Sequence, residues 1–237
     1  MIQIFAVPIS NFPHTELDRL LSFVSEEKKQ RLVRFLRRED LIRGLIGDLL
    51  VRKIVSETFV LPVKDIEFHT NEYGKPCLST PMHSFHFNIS HSGDWVVCAT
   101  DGKPVGIDVE RIQEIDLQIA RHFFAPEEYE FIETATDKHQ SRARFYTVWT
   151  AKESYIKAIG KGLSLPLNSF STVRDGNVEG LRLFDQCTWY LKTYYLDDEY
   201  SLAACGQNSQ FCETIMTISL ETLITFFLKD LVKPAPC

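Results

Sequence analysis

The chain has 237 residues, 44% of them hydrophobic and 24% charged, with a net charge of −6. That is an ordinary composition for a soluble protein with room for a substantial core, in one or two domains. It excludes a membrane-spanning chain, because the most apolar tail segment, Leu223 to Leu228, is far too short to cross a bilayer. The six cysteines (Cys77, Cys98, Cys187, Cys205, Cys212, Cys237) show neither Cys-x-x-Cys spacing nor partner histidines at zinc-finger distance, so reduced thiols are expected. Charge is unevenly spread: between Lys28 and Lys53 nine Lys and Arg face three acids, a net of +6 that leaves −12 elsewhere. Such a window points to an anionic ligand on one face. The acidic remainder, without a zinc finger or an aromatic-rich single-strand motif, argues against nucleic acid and for a small polyphosphate.

Met1 to Val7 lacks the charged start and cleavage site of a signal peptide and reads as a first strand, which places the protein in the cytoplasm. Ser25 is a helix cap, with Glu26 and Glu27 in the first turn and Leu32, Phe35 and Leu36 opening the apolar face. Lys28, Arg31, Arg34 and Arg38 form a basic stripe, and a second helical pattern runs through Leu41, Leu45, Leu49 and Ile54. From Val63 the period becomes that of strands: Ile66 to His69, the turn Asn71 to Pro76, then Phe85 to Ser90, Trp95 to Thr100 and Val105 to Glu110, with Gly93 and Asp101-Gly102 as turns. Helical signals return from Asp116 to Phe124, at Pro126 and, after a polar linker from Glu133 to Gln140, from Ser141 to Gly160. Strands are then expected at Ser169 to Arg174, Asn177 to Phe184, Thr188 to Leu196, Tyr200 to Cys205 and Thr214 to Ser219. Helices followed by a meander thus occur twice. The fold class is α+β, in two similar halves facing each other, 1–104 and 105–237, with the active site between them.

Two segments carry the chemistry. In the strand 105–110, alternation puts Ile107 and Val109 on one face and Asp108 and Glu110 together on the other. Taken alone, such a pair is a solvated face; oxygen-only carboxylates also suit Mg²⁺. In the helix 141–159, Glu153 and Lys157 lie four apart and share a face, which by itself is an ordinary ion pair. Together they supply three carboxylates and an ammonium, the inventory of phosphoryl-transfer chemistry. Neither a Walker A loop nor a Gly-x-Gly-x-x-Gly turn is present, and His91 has no Gly-x-Ser-x-Gly partner for a serine hydrolase.

Gly106-Ile107-Asp108-Val109-Glu110 followed by Trp149-Thr150-Ala151-Lys152-Glu153-Ser154 and Lys157 resembles the paired signature of the 4'-phosphopantetheinyl transferases. Gly74-Lys75-Pro76 and Phe87-Asn88-Ile89-Ser90-His91-Ser92 resemble that family's other motifs, in the same order, and the likeness runs from about Ser25 to about Phe170. Length and motif order are nearest the Sfp type, which serves nonribosomal peptide synthetases in antibiotic biosynthesis. The resemblance implies the family's pseudo-twofold fold and transfer of 4'-phosphopantetheine from coenzyme A to a serine of apo peptidyl and acyl carrier protein domains, releasing adenosine 3',5'-bisphosphate; an active site between two halves of one chain removes the need for a dimer, so a monomer is expected. It implies Mg²⁺ held by Asp108, Glu110 and Glu153, with Glu153 as base, directly or through a water, and Lys157 steadying the leaving phosphate. It matches Lys28 and Arg31 with the 3'-phosphate of coenzyme A, and Arg43, Lys75, Ser90 and His91 with adenine-nucleotide phosphates. Lys152 points elsewhere on the helix, and Phe123-Phe124 is read as core.

Overall fold

The computed structural model describes residues 1–79, 84–162 and 165–229, so Cys237 and the last residues of the second expected half lie outside the described part. β1 (Gln3–Pro8) is followed by the short helices α1 (Leu17–Leu21) and α2 (Glu26–Leu32) and by the 22-residue α3 (Arg38–Phe59). Then come β2 (Phe68–Thr70), β3 (Pro76–Leu78), β4 (His86–Ser92) and β5 (Trp95–Asp101). The second half repeats the plan. It starts on β6 (Val105–Arg111), continues through α4 (Gln118–Phe123), α5 (Pro126–Glu133) and the 22-residue α6 (Lys138–Ile159), and ends in β7 (Gly180–Phe184), β8 (Cys187–Tyr194) and β9 (Tyr200–Gly206). β10 (Met216–Thr217) and α7 (Leu220–Leu228) close the chain.

Two four-stranded sheets result, in the orders β10-β1-β5-β4 and β6-β9-β8-β7. α3 and α7 cover the outer face of the first sheet, burying Leu45, Leu49, Phe227, Phe87 and Val96 in one core. α6 covers the second sheet, where Phe145, Tyr155, Trp189 and Leu191 form another. A third core lies between the halves, with Ile4, Ala6, Val97 and Ala99 sharing one cluster with Ile107, Val109, Leu202 and Ala204. β5 therefore reads as an unbroken apolar run because both of its faces are covered. Each fully buried aliphatic side chain contributes about 1.5–3 kcal/mol, so this shared core locks the halves together.

Several expected elements differ. α2 is capped by Ser25, whose Oγ accepts from Lys28 N at 3.2 Å, but it stops at Leu32, leaving Val33, Phe35 and Leu36 exposed instead of opening a core face. Asp137 caps α6, accepting from Gln140 N at 2.8 Å, so the helix begins inside the segment expected to be a linker. Ser169 to Arg174 is no strand; a 3₁₀ turn spans Leu167–Ser169, and Arg174 makes only an isolated bridge to Asn177. Phe124 is buried in the second core while its neighbour Phe123 is 55% exposed. The final segment crosses back: β10 pairs in parallel with β1, and α7 packs in the first core, so residues 216–228 belong to the first half.

Candidate active site

The edge strands β4 and β6 of the two sheets abut, and side chains bridge them where a backbone ladder would otherwise run. Asn88 Oδ1 accepts from Ile107 N at 2.9 Å, Ser90 Oγ donates to Asp108 Oδ1 at 2.8 Å, and Ser92 Oγ donates to Glu110 Oε2 at 2.9 Å. Ser92 Oγ also accepts from Arg111 N at 3.1 Å. Asn88, Ser90 and Ser92 thus use the period of one strand to fasten the other. α6 lies over β6 at very short range, and Gly106 makes that possible: a Cβ there would sit 2.0 Å from Ser154 O and 2.4 Å from Ala158 N. Close approach brings the Glu153–Lys157 face of α6 onto the Asp108–Glu110 face of β6.

At the centre, Lys157 Nζ donates to Ser90 Oγ at 2.9 Å and pairs with Asp108 Oδ1. The other oxygen, Asp108 Oδ2, is buried and has no hydrogen-bond partner. A buried orphan acceptor is costly unless a ligand completes it. Burial pushes the Asp108 carboxyl above the ordinary range, opposed by Lys157 and Ser90. Glu110 is raised by burial and by the Asp108 charge, against hydrogen bonds from Ser92 and Trp149 and the charge of Lys157. Glu153 is raised by burial and by Asp108, with Lys157 opposing. Three carboxylates against one ammonium leave two uncompensated negative charges in a partly dry seam, a demand that a divalent cation meets. Among the described residues no three acidic, His or Cys side chains converge tightly enough to enclose an ion unaided. Mg²⁺ does not require that, since it typically takes one or two carboxylates and fills its octahedron with water and substrate phosphate. The orphan oxygen and the uncompensated charge fit such an ion.

Positive charge flanks the seam. His91 follows Ser90 on β4, and its pKa is lowered by burial and then by the Arg43 guanidinium. Arg43, on α3, donates to Gly93 O at 2.8 Å and to Asp40 at 2.6 Å, holding the β4–β5 turn. Beyond Ile89 opens a cavity of about 800 Å³ with Phe68, Phe87 and Ile66 in its walls and Lys28 and Arg31 on its rim. Lys28 is lowered chiefly by burial despite the nearby Asp48, so it is a cation that gains from an incoming anion. A buried pair, Arg52 Nε to Asp48 Oδ1 at 2.5 Å, stiffens the cavity, with Arg52 also donating to Ile66 O at 2.7 Å.

The structure therefore brings Ser90, Asp108, Glu110, Glu153 and Lys157 together, with Arg43 and His91 beside them and Lys28 and Arg31 on the cavity rim. Lys75 is the exception. Its Nζ donates to Val105 O at 3.2 Å, Lys157 O at 2.6 Å and Ala158 O at 3.1 Å, so its charge is directed at backbone carbonyls. Lys152 is fully buried in an ion pair with Glu128 at 2.7 Å and takes no part in the seam. Ser92 and Trp149 lie within the sequence motifs but had no role assigned, although the polar alternation Asn88, Ser90, Ser92 and the four-residue spacing of Trp149, Glu153 and Lys157 both signal them.

Two family models match the chain in tandem: "4'-phosphopantetheinyl transferase, N-terminal" over residues 13–103 and "4'-phosphopantetheinyl transferase superfamily" over residues 104–205. The chain is 45% identical over 211 residues to 4'-phosphopantetheinyl transferase Sfp of Bacillus subtilis (strain 168), covering 88% of this chain and 93% of that protein. It is 46% identical over 175 residues to 4'-phosphopantetheinyl transferase gsp of Aneurinibacillus migulanus, covering 72% of this chain and 70% of that one. Identity to 4'-phosphopantetheinyl transferase psf-1 of Bacillus pumilus is 40% over 213 residues, covering 89% and 90%. With a two-half α+β fold whose family boundary falls where β5 gives way to β6, the chain belongs to the 4'-phosphopantetheinyl transferase superfamily and is of its Sfp type.

Proposed function

We propose that this enzyme moves the 4'-phosphopantetheine arm of coenzyme A onto a serine hydroxyl of apo peptidyl and acyl carrier protein domains, releasing adenosine 3',5'-bisphosphate. The carriers are those of nonribosomal peptide synthetases, and the enzyme acts as a cytoplasmic monomer with Mg²⁺ held by Asp108, Glu110 and Glu153. The carrying observation is the unpartnered Asp108 Oδ2 at the junction of the two halves, with Lys157 and Ser90 on its sister oxygen. A site assembled from both halves of one chain needs no second subunit. No helix among the described residues is long and apolar enough to cross a membrane.

In this reading the cavity takes the adenine nucleotide, its apolar wall against the base and Lys28 and Arg31 on the 3'-phosphate. The Arg43 guanidinium attracts the pyrophosphate toward the seam, and His91, kept neutral by burial and by Arg43, offers a ring N–H to it. When bound, Mg²⁺ supplies charge neutralisation on the pyrophosphate. The bond that breaks joins the β-phosphorus to the bridging oxygen, and the bond that forms joins that phosphorus to the serine oxygen. Lys157, already aimed at Asp108 and Ser90, donates to the departing phosphate. Glu153, on the α6 face that carries Lys157, takes the serine proton directly or through a water.

Intact-mass spectrometry of an apo carrier protein incubated with the enzyme, coenzyme A and Mg²⁺ tests this. The expected product carries one added phosphopantetheine, absent with EDTA and absent when the carrier serine is replaced by alanine. Consumption of coenzyme A without a carrier adduct would make the protein a hydrolase instead.

A further inference from the structure

We infer that Lys75 is a positioning residue: from the first half of the chain, its ammonium ties the end of α6 to the start of β6 and thereby sets Lys157 against Asp108. This inference rests on the transfer reaction proposed above for that site. The last carbonyls of a helix have no partner within it, and they form its negative pole. At the end of α6, Ile156 O accepts from Gly160 N at 3.0 Å, while Lys157 O and Ala158 O accept from Lys75 Nζ. The same nitrogen donates to Val105 O, the first residue of β6. One ammonium thus holds the two elements that carry Asp108, Glu110, Glu153 and Lys157. It sits at the close contact where Gly106 meets Ser154 and Ala158.

The clamp is built rigidly. Lys75 stands at the end of a tight turn in which Asn71 Oδ1 accepts from Tyr73 N at 3.0 Å and Lys75 N at 2.8 Å, and Asn71 N donates to Lys75 O at 2.9 Å. Gly74 takes the left-handed conformation there, φ +82°. Asn71 Nδ2 adds a bond to Gly160 O at 3.1 Å, so the turn grips the helix end at two points. Gly160 is itself left-handed, φ +69°, and a Cβ on it would lie 3.2 Å from both Asn71 Nδ2 and Lys75 Cδ. Burial lowers the pKa of Lys75 to about 8, so its proton is held by these carbonyls against a desolvation penalty.

Steady-state kinetics of Lys75→Met separate this role from a phosphate contact. A positioning role lowers kcat by about 10–100-fold, the scale of a sub-ångström to 1 Å displacement of a reacting group, and leaves KM for coenzyme A within about twofold. A tenfold rise in KM at unchanged kcat would overturn the inference and make Lys75 a phosphate ligand; no change in either would overturn it too. Asn71→Ala keeps the ammonium but removes the second grip, and it should lower kcat in the same direction by a smaller factor. If Lys75→Met does not fold, Asn71→Ala decides: an unchanged kcat refutes the clamp. Hydrogen exchange gives a readout independent of turnover, with amides of the last turn of α6 and of Val105–Asp108 expected to exchange faster in Lys75→Met. Unaltered exchange there would overturn the inference even if wild-type protein showed no transfer, an outcome that by itself would count against the proposed reaction only.

Discussion

The two lysines of the α6 motif, Lys152 and Lys157, both pair with buried carboxylates, and replacing each by Met separates them on turnover. Lys152 and Glu128 are both completely buried, paired at 2.7 Å. Lys152 Nζ also donates to Phe170 O at 2.7 Å and lies 4.0 Å from the centroid of that ring. Lys152→Met nearly conserves volume, so the loss is electrostatic: it leaves a buried carboxylate without its counter-ion. Breaking a buried pair in this way costs about 3–5 kcal/mol. Glu128 keeps three donors, Ala125 N at 2.9 Å, Thr172 N at 2.7 Å and Thr172 Oγ1 at 2.8 Å, which places the expected loss near the lower bound. About 3 kcal/mol corresponds to a fall in Tm of roughly 6–12 °C for a chain of this size. Urea unfolding should show the loss as a lower midpoint, while kcat per folded molecule stays within a few-fold. Lys157→Met leaves the Asp108 carboxyl, 3% exposed, without its ammonium, so it too should lower stability in the metal-free protein. Unlike Lys152→Met, it should also lower kcat per folded molecule by about 10²–10³, the usual effect of removing one preorganised donor to developing charge. Lys152→Met with wild-type stability and a hundredfold lower kcat would refute the assignment of roles.

Because Asp108, Glu110 and Glu153 are all raised, the folded protein binds protons more tightly than the unfolded chain. Their stabilisation is complete below the ordinary carboxylate range and is lost as pH rises through their raised values. Metal-free protein should therefore lose stability with rising pH more steeply than Asp108→Asn. Mg²⁺ should restore it by about 2.7 kcal/mol at a hundredfold excess over Kd in wild type alone; equal Mg²⁺ shifts in a thermal melt of both proteins would refute the metal site. Asp108→Ala should abolish Mg²⁺-dependent transfer, and near wild-type turnover would be equally damaging. Lys28→Ala should narrow the preference for coenzyme A over dephospho-coenzyme A, and an unmoved ratio of kcat/KM values would free Lys28 from the 3'-phosphate. Gly106→Ala drives a methyl into Ser154 O and Ala158 N, and should cost about 1–3 kcal/mol or more in urea unfolding; a neutral effect would mean that α6 can lift from β6 without loss.

What could be read from sequence was whatever a local period encodes. Alternation alone put Asp108 and Glu110 on one face of β6, and a four-residue step put Glu153 and Lys157 on one face of α6. The same step set Lys152 on another face, but no local rule says that this face meets Glu128. Lys75 shows where the limit lies. A lysine in a turn is a cation of known reach, and its residue type is equally suited to a phosphate and to a helix end. Only the fold brings Lys157 O and Ala158 O within 3.1 Å of a residue more than eighty positions earlier, the placement on which the proposed clamp rests. β10 was expected as a longer strand and is two residues that add to β1 across the whole chain. Its pairing depends on where α7 buries Leu223 and Phe227, in the first core, and that is a property of packing. Family resemblance supplied the reaction and the residues proposed for the site. The direction of each charge, Lys157 toward Asp108 and Ser90 and Lys152 toward Glu128, came from the packing of α6 against β6 at Gly106.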